Sequence, residues 1–178
     1  MFVYGTYPVV STEILFDVLK KRSSDPLVQV VSIAIDPSTN SVVAYGVNKI
    51  ISAFEKSSKA LAELAIDKNP AKKFLVRHAE ADLIEKMTET MNIHKYQFIV
   101  SIQPCMACMS KLLDKNINSI GYIKENRHQD EQELMKPFLS NIQYGKIEHK
   151  MVCVPPWIVT EAELEQAIRN SRTMQENG

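Results

Sequence analysis

Two short segments hold the residue types that metal and proton chemistry require. One is His78-Ala79-Glu80, the other Pro104-Cys105-Met106-Ala107-Cys108. Each opens a stretch with helical spacing, so both are expected at helix N-termini. Backbone N–H groups and positive dipole ends converge there. That setting lowers the pKa of a thiol and favours the thiolate, the form that binds metal. Cys105 and Cys108 stand three apart, on one face of the first helical turn, and can grip one ion together. His78 supplies a third donor from the neighbouring helix. Three protein donors leave one tetrahedral position open, which marks a catalytic rather than a structural zinc. Zinc lowers the pKa of a bound water to about 7. Glu80, two residues past His78, is placed to take a proton from that water and pass it on.

Other uses of these residues are weaker. A C-x-x-C pair can be a redox dithiol, but nothing else in the order of elements supports one. A closed structural zinc site needs a fourth ligand. Cys153, His94, His128 and His149 are the candidates, and none has ligand spacing to either motif. Cys153 lies in an apolar strand and reads as a small core residue. Met106 and Met109 read as core packing rather than the wall of a pocket. Arg127 and His128 read as an exposed loop pair rather than a phosphate contact. Glu161, Glu163 and Glu165 read as a solvated helix start.

The whole chain sets the frame. Its 178 residues fit one domain, expected to span 1–178 with a core of about 25–154 and a helical extension over 155–178. The 45% hydrophobic and 24% charged shares are those of a soluble protein. A formal net charge of zero lacks the basic surplus of a chain that grips nucleic-acid backbones, so a small substrate is favoured. Three cysteines do not make a disulfide framework. The opening MFVYGTYPVV has neither the basic nor the apolar stretch of a signal peptide, and no apolar run reaches membrane-span length. A reducing, cytoplasmic setting without membrane contact is expected.

The elements that must position the two motifs follow from periodicity. Ile14, Leu15, Val18 and Leu19 make a stripe on a helix over about 11–22. Val28–Asp36 and Ser41–Val47 read as strands joined by the Pro37-Ser38-Thr39-Asn40 turn, a hairpin. The pattern over 49–77 is less regular, with a helix near 60–66. A helix over 80–91 carries Glu80. A strand over 96–102 leads to Pro104, which suits a helix start, and Cys105–Asp114 has helical spacing. Strands over 119–123 and 151–154 and a helix over 130–139 follow. The last helix opens with Thr160 and Glu163 at capping-box spacing. It has few large apolar residues, so loose packing or a contact with another subunit is expected. The last three strands are joined by helices, which favours parallel pairing. The sum is an α/β protein with a mixed sheet between helices.

H-x-E followed by P-C-x-x-C is the zinc-deaminase pattern, and from about Asp25 to Cys153 the chain resembles the cytidine/deoxycytidylate deaminase superfamily. Within it, the chain is most similar to the deoxycytidylate deaminase branch. Asp25-Pro26, Gln29-Val30 and the long segment between Asn48 and His78 carry that likeness; tRNA adenosine deaminases have a much shorter loop there. The resemblance implies a three-layer cytidine deaminase-like fold with a five-stranded mixed sheet. It implies Zn2+ on His78, Cys105 and Cys108, with Glu80 as the catalytic acid and base. It also implies a sugar contact at Asn48 and help from the backbone N–H groups of Ala79 and Cys105 in holding the base. The expected reaction is deamination of a cytosine nucleotide, dCMP to dUMP, by a homo-oligomer. Two departures stand out. Gly46-Val47-Asn48-Lys49 replaces the common Gly-Tyr-Asn-Gly, and Gln103 precedes Pro-Cys where Ser, Thr, Glu or Phe is usual. Gln103 would lie beside the base and could change which ring edge is read. A nucleic-acid deaminase and a non-catalytic deaminase-fold subunit remain as alternatives.

Overall fold

The computed structural model describes residues 7–87 and 92–176, with side chains through Thr173. In chain order the strands and helices are β1 (Val9–Ser11), α1 (Thr12–Lys20), β2 (Val31–Asp36), β3 (Ser41–Val47), β4 (Lys49–Ile50), α2 (Ser58–Leu64), α3 (Lys72–Leu75), β5 (Val76–Arg77), α4 (Ala79–Lys86), β6 (Gln97–Ile102), α5 (Met106–Asp114), β7 (Ser119–Lys124), α6 (Gln129–Met135), β8 (Gln143–Lys146), β9 (Met151–Cys153) and α7 (Glu161–Glu176). Residues 88–91 of the helix expected over 80–91 lie outside the described residues.

The main sheet has seven strands in the order β1-β9-β3-β2-β6-β7-β8, not the five expected. The hairpin β2–β3 is antiparallel, β2 also pairs antiparallel with β6, and β6, β7 and β8 run parallel. The parallel trio therefore ends on β8, not on the 151–154 strand. That strand, β9, sits near the opposite edge, antiparallel to β1 and joined to β3 by a single parallel bridge. β8 is Gln-Tyr-Gly-Lys, without alternation of apolar residues, and β1 is three residues long. Neither carries a periodic signal.

Helices cover both faces, giving three layers. Alternate residues of β2 divide between them, as strand geometry requires. Val31, Ile33 and Ile35 meet α1 and α7 through Leu15, Phe16, Leu19 and Leu164. Ala34 and Phe98 meet Leu83, Met109, Leu112 and Met135 of α4, α5 and α6. The irregular segment over 49–77 pairs β4 with β5 and packs its own small cluster of Ile50, Leu64, Leu75 and Val76.

Local chemistry explains the boundaries. Ser11 caps α1 by accepting the Glu13 N–H at 3.1 Å. Asn40 ends the hairpin turn at φ 55°. Asn116, at φ 57°, closes α5 in a Schellman motif: its N–H reaches Leu113 O and the Ile117 N–H reaches Leu112 O. The helix expected over 130–139 stops at Met135 and tightens into a 3-10 turn over Lys136–Phe138, because Pro137 has no N–H to continue the ladder. The capping box of α7 forms, with Thr160 N–H on Glu163 Oε2 at 2.9 Å and Glu163 N–H on Thr160 Oγ1 at 3.3 Å. α7 packs on its own chain rather than loosely. Leu164 is buried, and Ala167 and Ile168 pack against the α1 cluster. Arg22 ties it down by donating to Tyr45 Oη, Ile158 O and both oxygens of Glu163. Among the described residues, no helix is long and apolar enough to cross a membrane.

Candidate active site

Strand β6 runs into Gln103-Pro104 and delivers Cys105 as the N-cap of α5. His78 is the N-cap of α4, whose first turn holds Glu80 and Asp82. The two N-termini meet, as the sequence implied. His78 Nδ1 lies 3.3 Å from Cys108 Sγ and 3.6 Å from Cys105 Sγ. Tetrahedral zinc with Zn–S near 2.3 Å and Zn–N near 2.05 Å separates such donors by about 3.6 Å. The donor set therefore fits that ion. Among the described residues, these three form the only group of His, Cys, Asp and Glu with ligand atoms all within 4.8 Å. None of the proposed fourth ligands joins them. His149 instead bonds Thr12 Oγ1 at 2.9 Å, and Cys153 is half-buried in β9.

The two thiols differ in their electrostatics, so the expected lowering is found at Cys105 but not at Cys108. The hydrogen bond with Cys108, then that with His78, pulls the Cys105 thiol down to about 3, while the bond to Cys105 and burial push Cys108 up. The hydrogen bond with Cys105 raises His78 against the opposing effect of its burial. Glu80 is 4% exposed. Its burial raises its pKa, opposed by its own backbone N–H, by His78 and by a contact with Cys108. A carboxyl held this way lies beside the metal donors and readily takes up a proton.

Two anchors hold α4. Ser32 Oγ donates to Ala79 O at 2.8 Å. Asp82 accepts the Val47 N–H at 3.1 Å and pairs with Lys86 Nζ at 2.9 Å, Lys49 at 3.6 Å and Arg77 at 4.0 Å. Burial alone would raise the Asp82 carboxyl, but Lys86 and the Val47 N–H bring it below its ordinary value. Strand β3 comes so close that a Cβ on Gly46 would stand 2.2 Å from Ala79 O and 2.5 Å from Leu83 N. Glycine is required there for α4 to lie on the sheet.

The remaining residues singled out from the sequence are engaged within the chain. Asn48 is buried, and its amide makes four bonds. Oδ1 accepts from Ser23 Oγ at 2.7 Å and Val30 N at 2.7 Å; Nδ2 donates to Val28 O at 2.7 Å and, at 3.4 Å, to Asp25. It thus fastens the loop before β2. Ala79 is fully buried as the first residue of α4, where its N–H has no intrahelical acceptor by position. Gln103 is buried, and its Oε1 accepts the Asn126 N–H at 3.1 Å. Met109 is core, Met106 is exposed, and Arg127 makes an exposed pair with Asp67. Glu163 is more than a solvated start, since it caps α7 and binds Arg22.

A cleft of about 800 Å³ opens beside His78 and Cys108, bordered by the cations Lys49, Lys73, Arg77 and Lys111 and by the carboxylates of Glu55, Asp82 and Glu85. Sequence reasoning missed these cations, because they come from four separate elements. It also missed Asp82, which reads as a routine acid in a first helical turn.

Residues 12–124 match the family described as "Cytidine and deoxycytidylate deaminase zinc-binding region". The chain belongs to that family. It is therefore a zinc-dependent hydrolytic deaminase. A search of curated proteins gives no match. Among solved structures, this deaminase is similar to the dCMP deaminase of the cyanophage S-TIM5 in complex with dCMP and dUMP. The TM-score is 0.57 at 17% identity, over 76% of this chain and 94% of that one. The apo form of the same phage enzyme gives a TM-score of 0.52 at 17% identity, over 76% and 95%. At such identity the likeness establishes the fold.

Proposed function

We propose that this deaminase converts a cytosine nucleotide to its uracil counterpart and ammonia, with dCMP as substrate. We assign His78, Cys105 and Cys108 as the zinc ligands and Glu80 as the residue that moves protons. The observation that carries this reading is the buried Glu80 carboxyl set against the three converging donors. The cleft supports a small-molecule substrate: its volume lies in the range of such sites, and it abuts His78 and Cys108. The similar phage enzyme was crystallised with dCMP and dUMP.

Zinc held there supplies a water acidified to a pKa near 7. Glu80 takes a proton from the attacking water and gives it to ring N3. A C4–O bond forms, the C4–N bond breaks, and Glu80 passes the second water proton to the departing amine. Ala79 N–H holds the base edge at the start of α4. Asn48 reaches the sugar through Nδ2, whose 3.4 Å bond to Asp25 is the longest of its four and the one a hydroxyl can take over. Gln103 borders the base. The chain works as one domain, as a homo-oligomer and in the cytoplasm; the exposed Phe74, Phe138 and Trp157 and the free cysteines fit that setting.

Ammonia release is the test, on zinc-loaded protein with dCMP, CMP, deoxycytidine, cytosine, adenosine, guanine and a tRNA anticodon stem. Turnover of dCMP is expected, with a loss of at least about 10²-fold in Glu80→Gln at unchanged zinc content. Near-normal turnover in that variant would reject Glu80 as the proton carrier. Turnover of the tRNA stem alone would move the substrate to nucleic acid. Silence on every substrate with zinc bound would favour a non-catalytic subunit.

A further inference from the structure

The two residues that lead into Cys105 have their carbonyls held from outside. Gln103 O accepts Asn126 Nδ2 at 3.2 Å, and Pro104 O accepts Gln132 Nε2 at 3.0 Å. Gln132 comes from α6 and is 7% exposed. Its Oε1 accepts the Tyr144 hydroxyl at 2.9 Å, which fixes the orientation of the amide. The same hydroxyl meets the side chain of Gln103. Gln132 thus bridges the third parallel strand and the segment entering the metal site.

A buried amide is an expensive choice on a helix face that packs into an apolar cluster. Left unpaired it costs about 1–3 kcal/mol, whereas leucine would pack there beside Met135 and Leu139. What the amide does in this place is bond Pro104 and Tyr144. Cys105, like the N-cap His78, is a ligand that its helix does not itself hold. As N-cap residue it has extended backbone, φ −71° and ψ 166°, and precedes the helix, whereas Cys108 lies inside α5. A single χ1 rotation separates Sγ from the backbone, so Sγ goes where that backbone is put.

We propose that Gln132, oriented by Tyr144, is a positioning residue that fixes the Pro104–Cys105 backbone and so sets the Cys105 thiolate for the metal. This rests on the assignment of His78, Cys105 and Cys108 as ligands.

The test uses the full chain loaded with Co2+ in place of zinc. It reads the thiolate charge-transfer and d–d bands and the competition with a chelator. Gln132→Met keeps the volume and removes both hydrogen bonds. It is expected to bind cobalt about 10- to 100-fold more weakly, the usual effect of losing such outer support, with shifted d–d bands. Tyr144→Phe removes the bond to Gln132 and the contact with Gln103, and about fivefold weaker binding is expected. Glu133→Ala, on the exposed face of α6, leaves both readouts unchanged. Wild-type affinity and spectrum in a folded Gln132→Met would overturn the proposal. Should Gln132→Met fail to fold, an unchanged spectrum in Tyr144→Phe overturns it instead. The ligand assignment is tested separately: the wild-type charge-transfer band must weaken in Cys105→Ala, and its absence from the wild type would reject the ligand set itself.

Discussion

The N-termini of α4 and α5 do the same job by different means. Each delivers ligands to one point, yet α4 is held by a charged group and α5 by neutral amides. Asp82 draws Lys86, Lys49, Arg77 and the Val47 N–H to the first turn of α4. Gln132 and Asn126 hold the carbonyls that precede Cys105. A carboxylate among lysines responds to pH and salt; an amide bonded to a carbonyl does not. One half of the site should therefore depend on solution conditions and the other should not.

The largest effect should come from the contact beneath α4. Gly46→Ala places a methyl against backbone atoms at 2.2 and 2.5 Å, so the helix must lift. A loss of about 3 kcal/mol is expected, read from urea unfolding, together with reduced zinc content. Full zinc occupancy at wild-type stability would mean that β3 does not set the height of α4.

Asp82→Asn comes next. The amide can still accept the Val47 N–H but attracts no cations, so about 2 kcal/mol should be lost at pH 7. The pH dependence has a definite sign. The folded-state pKa lies below the unfolded one, so the stabilisation is complete above the unfolded pKa of about 3.9 and disappears as pH falls through the folded value. Urea midpoints of the wild type and Asp82→Asn should converge below about pH 4. The gap between wild type and Gln132→Met should stay constant over the same range. If that gap also closes, the two anchors do not differ in the way described. The smallest effect belongs to Lys86→Ala. Its partly exposed ammonium should contribute about 0.5 kcal/mol at low salt, fading at 1 M salt where the screening length is about 3 Å.

The grouping of His78, Cys105 and Cys108 with Glu80 nearby was legible because their types are uncommon and their spacing is local. Two residues separate Cys105 from Cys108, and one separates His78 from Glu80. The hairpin and the helices around the motifs were legible from apolar periodicity. Gln132, Asn126 and Tyr144 were not, since glutamine and asparagine are ordinary surface residues and their partners lie in other elements. Strand β8 was invisible because an edge strand half open to water need not alternate. The segment over 49–77 was opaque because its small separate core needs few apolar residues. Gly46 and Asn48 were noticed as part of a family pattern from which Val47 and Lys49 depart, but only the packing shows why glycine is needed at 46. The amide of Asn48 turns out to hold its own chain's loop.

The pairing of β1 with β9 and the bond from Lys150 N to Thr12 Oγ1 join the two ends of the sequence, 138 residues apart in the second case. A ribosome adding 5–20 residues per second needs roughly 7–28 s to make that stretch. Throughout that time the apolar face of α1 has neither β9 at its edge nor α7 across it. The newly made chain must keep Leu15, Phe16 and Leu19 from other partners until β9 and α7 emerge, so a helix made before both is among the last to find its full setting.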